Sequence, residues 1–153
     1  MTYTTLRTEV QDGVFLITLA RPGEYNTITP ALRDELARAI DEGDALSGAR
    51  VILLRADGPA FCAGYGLDWS TAAQAREARA AEVPPEASAR VWDSVSDLRM
   101  MGRFVETYLK LLYAKKPTLA AVQGWCIGGG TDMVLCADLI VAAPCGPDPQ
   151  PRH

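Results

Sequence analysis

The chain has 153 residues, 48% hydrophobic and 22% charged, with a formal net charge of -4. That is the length of one ordinary domain, enough to bury roughly 70% of its unfolded surface. The proportions exclude a disordered chain, the charge balance speaks against a nucleic-acid surface, and no apolar run reaches the roughly 20 residues of a membrane span.

Residues 14–19 (VFLITL) are apolar on both faces, the pattern of a strand covered on both sides. Arg21-Pro22-Gly23 ends it. Thr29-Pro30 reads as an N-cap and first helical position, and Leu32, Leu36 and Ile40 follow at four-residue spacing, which predicts a helix over 30–42. Gly43 and Gly48 bracket a loop. A second buried strand, 51–55 (VILLR), is closed by Asp57-Gly58-Pro59. Residues 61–66 (FCAGYG) form a loop by composition. The stretch 70–90, rich in Ala, Arg and Glu and broken by Pro84-Pro85, reads as helical pieces around a mobile loop.

Val91, Val95, Leu98, Met101, Val105, Leu109 and Leu112 recur every three or four residues and predict a long amphipathic helix, with Glu106 and Lys110 paired at i, i+4. Lys116-Pro117 stops it. Residues 118–123 (TLAAVQ) are a third strand, 124–130 (GWCIGGG) a tight turn, 131–136 a short helix, and 138–142 (DLIVA) a fourth, buried-type strand. Strands alternating with helices predict an α/β fold with parallel pairing. The last ten residues, PCGPDPQPRH, hold four prolines and no large apolar side chain, so a domain over 1–143 and a disordered Pro-rich tail over 144–153 are expected.

The only histidine, His153, is the last residue, which removes Ser-His-Asp and Cys-His chemistry and leaves no metal site to expect. Cys62, Cys126, Cys136 and Cys145 form no CxxC pair, and the opening MTYTTLRTEV is no signal peptide. Reduced thiols in a cytoplasmic protein follow. Gly124, Gly128, Gly129 and Gly130 follow a strand and open a helix without the spacing of GxGxxG or the Lys of a P-loop. Glycines there serve a cramped turn, or they let a carbonyl oxygen approach the free N–H groups of a helix start, as in an oxyanion hole. The loop Phe61-Cys62-Ala63-Gly64-Tyr65 also follows a strand, and one N–H from each loop can meet at the same oxygen.

Four stretches of the chain resemble the crotonase superfamily, the enoyl-CoA hydratase/isomerase family: VFLITLARP, the opening strand; YNTITPALRDEL, with Asn26 at the Asn that opens the family's first helix; VILLRADGPAFCAGYGLD, a strand and the first oxyanion loop; and KKPTLAAVQGWCIGGGTDMVLCADLIVAA, the second oxyanion loop, catalytic helix and next strand. The resemblance runs from residue 3 to about 143. It implies a ClpP/crotonase-type ββα spiral core, here truncated before the second half and the C-terminal helices, as a frameshifted or shortened gene would leave it. It implies an acyl-CoA thioester as substrate, with coenzyme A a part of that substrate and no separate cofactor. The backbone N–H groups of Tyr65 and Gly129 would polarise the thioester carbonyl, while Cys62, Ala63, Gly64 and Gly128 would line the substrate, with Cys62-Ala63 beside the adenine.

Three departures from the family pattern stand out. Asp132 takes the place of the first family Glu, one methylene shorter. Gly66 stands where many members have Asp, with Asp68 two residues on. The segment that carries the second Glu is not part of the resemblance. Asp132 is therefore either the surviving acid/base or a carboxylate that complements its helix dipole; Asp68 reads as a helix cap. The resemblance implies an enoyl-CoA hydratase-type enzyme adding water to a 2-enoyl-CoA, in a trimeric or hexameric homo-oligomer. The alternatives are another reaction of the superfamily (isomerisation, thioester hydrolysis or decarboxylation) and a non-catalytic remnant that docks on a full-length relative. Trp69, Trp92 and Trp125 are expected to pack, Cys126 and Cys136 to fill core space, and Arg76, Arg79 and Arg90 to face solvent rather than coenzyme A phosphates. Asp138 reads as a structural hydrogen-bonding residue.

Overall fold

The structure, a computed structural model, describes residues 2–66 and 94–144. The expectations for 70–90, Asp68, Trp69, Trp92, the three arginines and the tail beyond Pro144 lie outside these residues.

The apolar runs become the sheet. Strands β1 (Leu6–Gln11), β2 (Val14–Leu19), β3 (Val51–Ala56), β5 (Thr118–Val122) and β7 (Leu139–Ala142) lie in the order β1-β2-β3-β5-β7. The last four are mutually parallel, as the alternation predicts, and β1 is antiparallel to β2. Strand β1 was not foreseen, although its signal is in the sequence. Asp12 and Gly13 both have positive φ (52° and 80°), the requirement of a two-residue hairpin turn. Two short strands, β4 (Ala60–Cys62) and β6 (Trp125–Cys126), pair in a separate ribbon inside segments that read as loops.

Helix α1 (Pro30–Ala45) opens as predicted: Thr29 accepts the Leu32 N–H at 3.2 Å, with proline at the first position. It does not stop at residue 42. Gly43 lies inside it and faces the Phe15 ring, where a Cβ would stand 2.6 Å from a ring carbon. The glycine is there for packing, not for a turn. One turn and a half into the helix, buried Glu35 turns its carboxylate on the chain entering β1, accepting from the N–H and hydroxyl groups of Thr4 and Thr5 at 2.6–3.0 Å.

Helix α2 (Ser94–Leu112) is amphipathic, but its buried face is not the predicted one. Phe104, Thr107, Tyr108 and Leu111 go inside, at i, i+3, i+4 and i+7. Val95, Leu98, Met101, Val105 and Leu112 stay exposed, Leu98 at 73%. Both stripes are apolar, and the one carrying two aromatic rings removes more surface from water. Lys110 likewise does not pair with Glu106 on its own helix; it bridges to Asp41 of α1 at 2.7 Å. The core between sheet and helices holds Phe15, Ile17 and Leu19 of β2, Ile52 and Leu54 of β3, Leu32, Leu36 and Ile40 of α1, and the inner face of α2.

Strand β7 also departs from expectation. Its composition is that of a buried strand, yet all four residues are exposed, Leu139 at 60% and Val141 at 64%. It is the last strand of the sheet, with one hydrogen-bonding edge on β5 and no described element over its apolar side chains. Asp138 does what its position suggested: it accepts from the Thr118 N–H and hydroxyl at 2.8 and 3.0 Å, locking β7 beside β5. Among the described residues, no helix is long and apolar enough to cross a membrane.

Candidate active site

The site is built where the β4 and β6 ribbon brings the two glycine-bearing loops together. Cys62 pairs with Cys126, and the Cys62 carbonyl accepts the Ile127 N–H at 3.0 Å. Beyond Cys62 the chain is tied to the segment before α1. Ala63 donates to the Tyr25 carbonyl, Ile28 donates to Gly64, and Gly66 donates to Ile28, at 2.8–3.1 Å. In that parallel bridge the peptide N–H of Tyr65 turns to the side away from Ile28. At Gly64 a Cβ would come within 3.0 Å of the Ile127 carbonyl oxygen, so the close approach of the loops requires glycine there.

Asn26 positions this junction from below. It does not open α1, as the resemblance suggested, since the helix starts at Pro30. It is buried and left-handed (φ 53°), accepts the Arg21 N–H, and donates to the carbonyls of Asp57 and Ala60 at 2.9 and 3.0 Å. One side chain thus joins the end of β2, the β3–β4 turn and the start of β4.

On the second loop, helix α3 (Gly129–Leu135) begins two residues earlier than the pattern predicted, inside the glycine run. Gly128 is its N-cap at φ 53° and ψ -122°, a conformation open to glycine alone, and its carbonyl accepts from Thr131 and Asp132. Gly129 follows at the first helical position, where an N–H has no intrahelical acceptor. Gly130 packs on Cys62, whose Cβ lies 2.8 Å from where a Gly130 Cβ would stand. Burial pushes the Cys62 thiol up to about 11, against the lowering effect of the Gly64 N–H. Its side chain points into the protein, so an adenine beside it would meet main chain only. Cys126 and Cys136 are half-buried and pack against the core, as expected. Trp125 is not packed: it is 59% exposed.

Asp132 stands in the first turn of α3 and is exposed. Its charge is felt by Tyr65 and Tyr108, whose phenols are both raised above the usual value, chiefly by burial. These two tyrosines meet, hydroxyl to hydroxyl, at 3.3 Å, and the Phe104 ring stands edge-on to Tyr65 at 5.3 Å. Phe104 and Tyr108 escaped the sequence reading because the other stripe of α2 is the more regularly aliphatic. Two aromatic residues four apart were the available signal.

The structure therefore brings Cys62, Ala63, Gly64, Tyr65, Gly128, Gly129 and Asp132 into one neighbourhood from two loops about 65 positions apart. The sequence model of the enoyl-CoA hydratase/isomerase family matches residues 9–102 and 96–145. A mevalonyl-coenzyme A hydratase of Beauveria bassiana is 37% identical over 136 residues, which is 87% of this chain and 44% of that protein. A probable enoyl-CoA hydratase of Rhodobacter capsulatus is 31% identical, over 94% of this chain and 48% of its own length. The crystal structure of an enoyl-CoA hydratase from Mycobacterium smegmatis superposes with a TM-score of 0.77 at 34% identity, covering 92% of this chain and 47% of that one. The chain thus spans about half the length of the relatives it matches, and its fold is the crotonase α/β core over that half. With the family model matching most of its length and a relative 37% identical over 87% of it, the chain belongs to the enoyl-CoA hydratase/isomerase family.

Proposed function

We propose that the chain carries the thioester-binding part of an acyl-CoA enzyme of the enoyl-CoA hydratase type. The observation that supports it most is the juxtaposition of Tyr65 with Gly129. Each lies on its own loop after a strand of the β4 and β6 ribbon, and the Tyr65 ring rests against the glycine. Two backbone N–H groups from these positions would hold the thioester oxygen and stabilise the negative charge it gains when the α-carbon takes enolate character. They act through main chain, so a tyrosine serves here as well as a small residue. The site around them is dry on the protein side, with Cys62, Ile28 and Met133 buried, which strengthens such hydrogen bonds.

In hydration of a 2-enoyl-CoA, the water oxygen bonds to the β-carbon as one of its O–H bonds gives up its proton to a base, the double-bond electrons pass to the thioester carbonyl as an enolate, and a proton then joins the α-carbon as the carbonyl re-forms. Asp132, in the first turn of α3, is the carboxylate we assign to that proton traffic. A 2-enoyl-CoA is the substrate class this chemistry takes. Crotonyl-CoA hydration, followed through loss of the enoyl-thioester absorbance, tests the reading. Turnover is expected to fall about 10²–10⁴-fold in Asp132→Asn. Wild-type protein that is folded but neither binds nor hydrates crotonyl-CoA refutes it.

A second reading is favoured by one observation. Trp125, Ile127, Leu135, Leu139, Ile140 and Val141 are all large, apolar and exposed, 44–67% of each. A surface of that kind is commonly an interface, and a non-catalytic chain that docks on a larger relative would use it.

A further inference from the structure

We infer that the Tyr65 side chain is the positioning element of the carbonyl-binding site: its ring braces Gly129 and so sets the separation between the two N–H groups, one of which is its own. The inference rests on the acyl-CoA reading above and adds a role for side chains that the backbone account leaves idle.

Ring atoms Cε2 and Cζ of Tyr65 lie 2.7 Å from where a Gly129 Cβ would stand, and Cδ1 of Ile28 lies at 2.8 Å from the same point. Gly129 therefore sits in a slot with two walls. Both walls belong to one unit, because Ile28 is bridged to the Tyr65 segment by hydrogen bonds of 2.8 and 3.1 Å. The second loop is thus clamped by the first. At its base the Ile127 N–H is held by the Cys62 carbonyl; at its tip Gly129 is held between the ring and Ile28.

The ring is itself fixed from behind by α2. Phe104 meets it edge-on, with an interplanar angle of 86°, and the Tyr108 hydroxyl reaches the Tyr65 hydroxyl at 3.3 Å. Phe104 and Tyr108 are one helical turn apart, and both are buried. Burial raises both phenols, so the contact between them stays a neutral hydrogen bond throughout the neutral range. A carbonyl hole works only if its donors lie about 2.7–3.1 Å from the developing oxyanion. A loop that shifts by a fraction of an ångström loses that geometry, and the slot removes this freedom.

The test uses the purified chain and acetoacetyl-CoA, whose enolate absorbs in the near ultraviolet and is favoured over the keto form when two donors hold its oxygen, with coenzyme A alone as the probe of nucleotide binding. Tyr65→Ala is expected to cut the enolate signal about tenfold or more, short of the 10²–10³-fold loss of a donor outright, while the affinity for coenzyme A is kept. Tyr65→Phe and Tyr108→Phe each keep a ring and remove the same hydrogen bond. Each is expected to lower the signal about fivefold, and the double variant no further. If Tyr65→Ala does not fold, this pair carries the test. A wild-type signal in Tyr65→Ala, or effects of the two Phe variants that are absent or multiply, overturns the brace and leaves the acyl-CoA reading standing. Folded wild-type protein that produces no enolate signal and binds no coenzyme A overturns both.

Discussion

Glu35 offers the sharpest test of how the fold is held. It is 6% exposed, on the inner side of α1, and accepts from two N–H groups and two hydroxyls of Thr4 and Thr5. Burial by itself would raise its pKa. The hydrogen bonds win and hold the carboxyl at about 2, against an ordinary value of 4.5. At about 1.4 kcal/mol per pKa unit, this difference corresponds to about 3 kcal/mol of folding free energy. The folded-state pKa is the lower one, so this contribution is whole above about pH 4.5 and is lost as the pH falls toward 2. Glu35→Gln keeps the shape but replaces an acceptor oxygen with an NH2 group that faces donors. At pH 7 it is expected to lose about 2–3 kcal/mol, read as the shift in urea unfolding followed by far-ultraviolet circular dichroism. Repeated at pH 5, 4, 3 and 2.5, the gap between wild type and variant should close steadily. Equal midpoints at pH 7, or a gap that persists unchanged into acid, would show that the anchoring of the β1 entry does not depend on the Glu35 charge.

Three further outcomes follow from the packing. Asn26→Asp replaces two donors with an acceptor facing the Asp57 and Ala60 carbonyls, and about 3 kcal/mol of urea stability should go with it; an unshifted midpoint would deny Asn26 its tying role. Gly43→Ala adds a good helix former by about 1 kcal/mol, yet its Cβ would stand 2.6 Å from the Phe15 ring, so a net loss of about 1–3 kcal/mol is expected, and a raised melting temperature would contradict it. Cys62, its thiol pushed up to about 11 and fully buried, should be the last of Cys62, Cys126 and Cys136 to be alkylated by iodoacetamide at pH 8. Peptide mass spectrometry reads the order, and simultaneous labelling would mean that the loop opens readily.

Local signals in the sequence carried much of the architecture. The apolar runs at 14–19, 51–55 and 118–123 became parallel strands. Thr29-Pro30 capped its helix, and Asp138 took its structural hydrogen bonds. Each depends on a few neighbouring residues and on steric rules that hold in any context. The Asp12-Gly13 hairpin is equally local, but β1 has too little apolar alternation to mark it as a strand. The family and its fold were legible through the resemblance of the glycine-bearing stretches, which needs no coordinates.

The rest was decided by tertiary contacts. Helix α2 has two apolar faces, and only the fit of Phe104 and Tyr108 beneath Tyr65 selects the buried one. Gly43 reads as a breaker until the Phe15 ring arrives across the core to require it. Lys110 had a partner on its own helix and took one on α1, where a neighbouring carboxylate stands closer. The residues of β7 are those of a covered strand, and whether such a strand is covered depends on the chain that packs over it. The site follows the same logic. Its parts were written along the sequence, but the pairing of β4 with β6 and the bracing of Gly129 by Tyr65 exist only once distant segments meet, because the distances that make a carbonyl site are set by packing and not by composition.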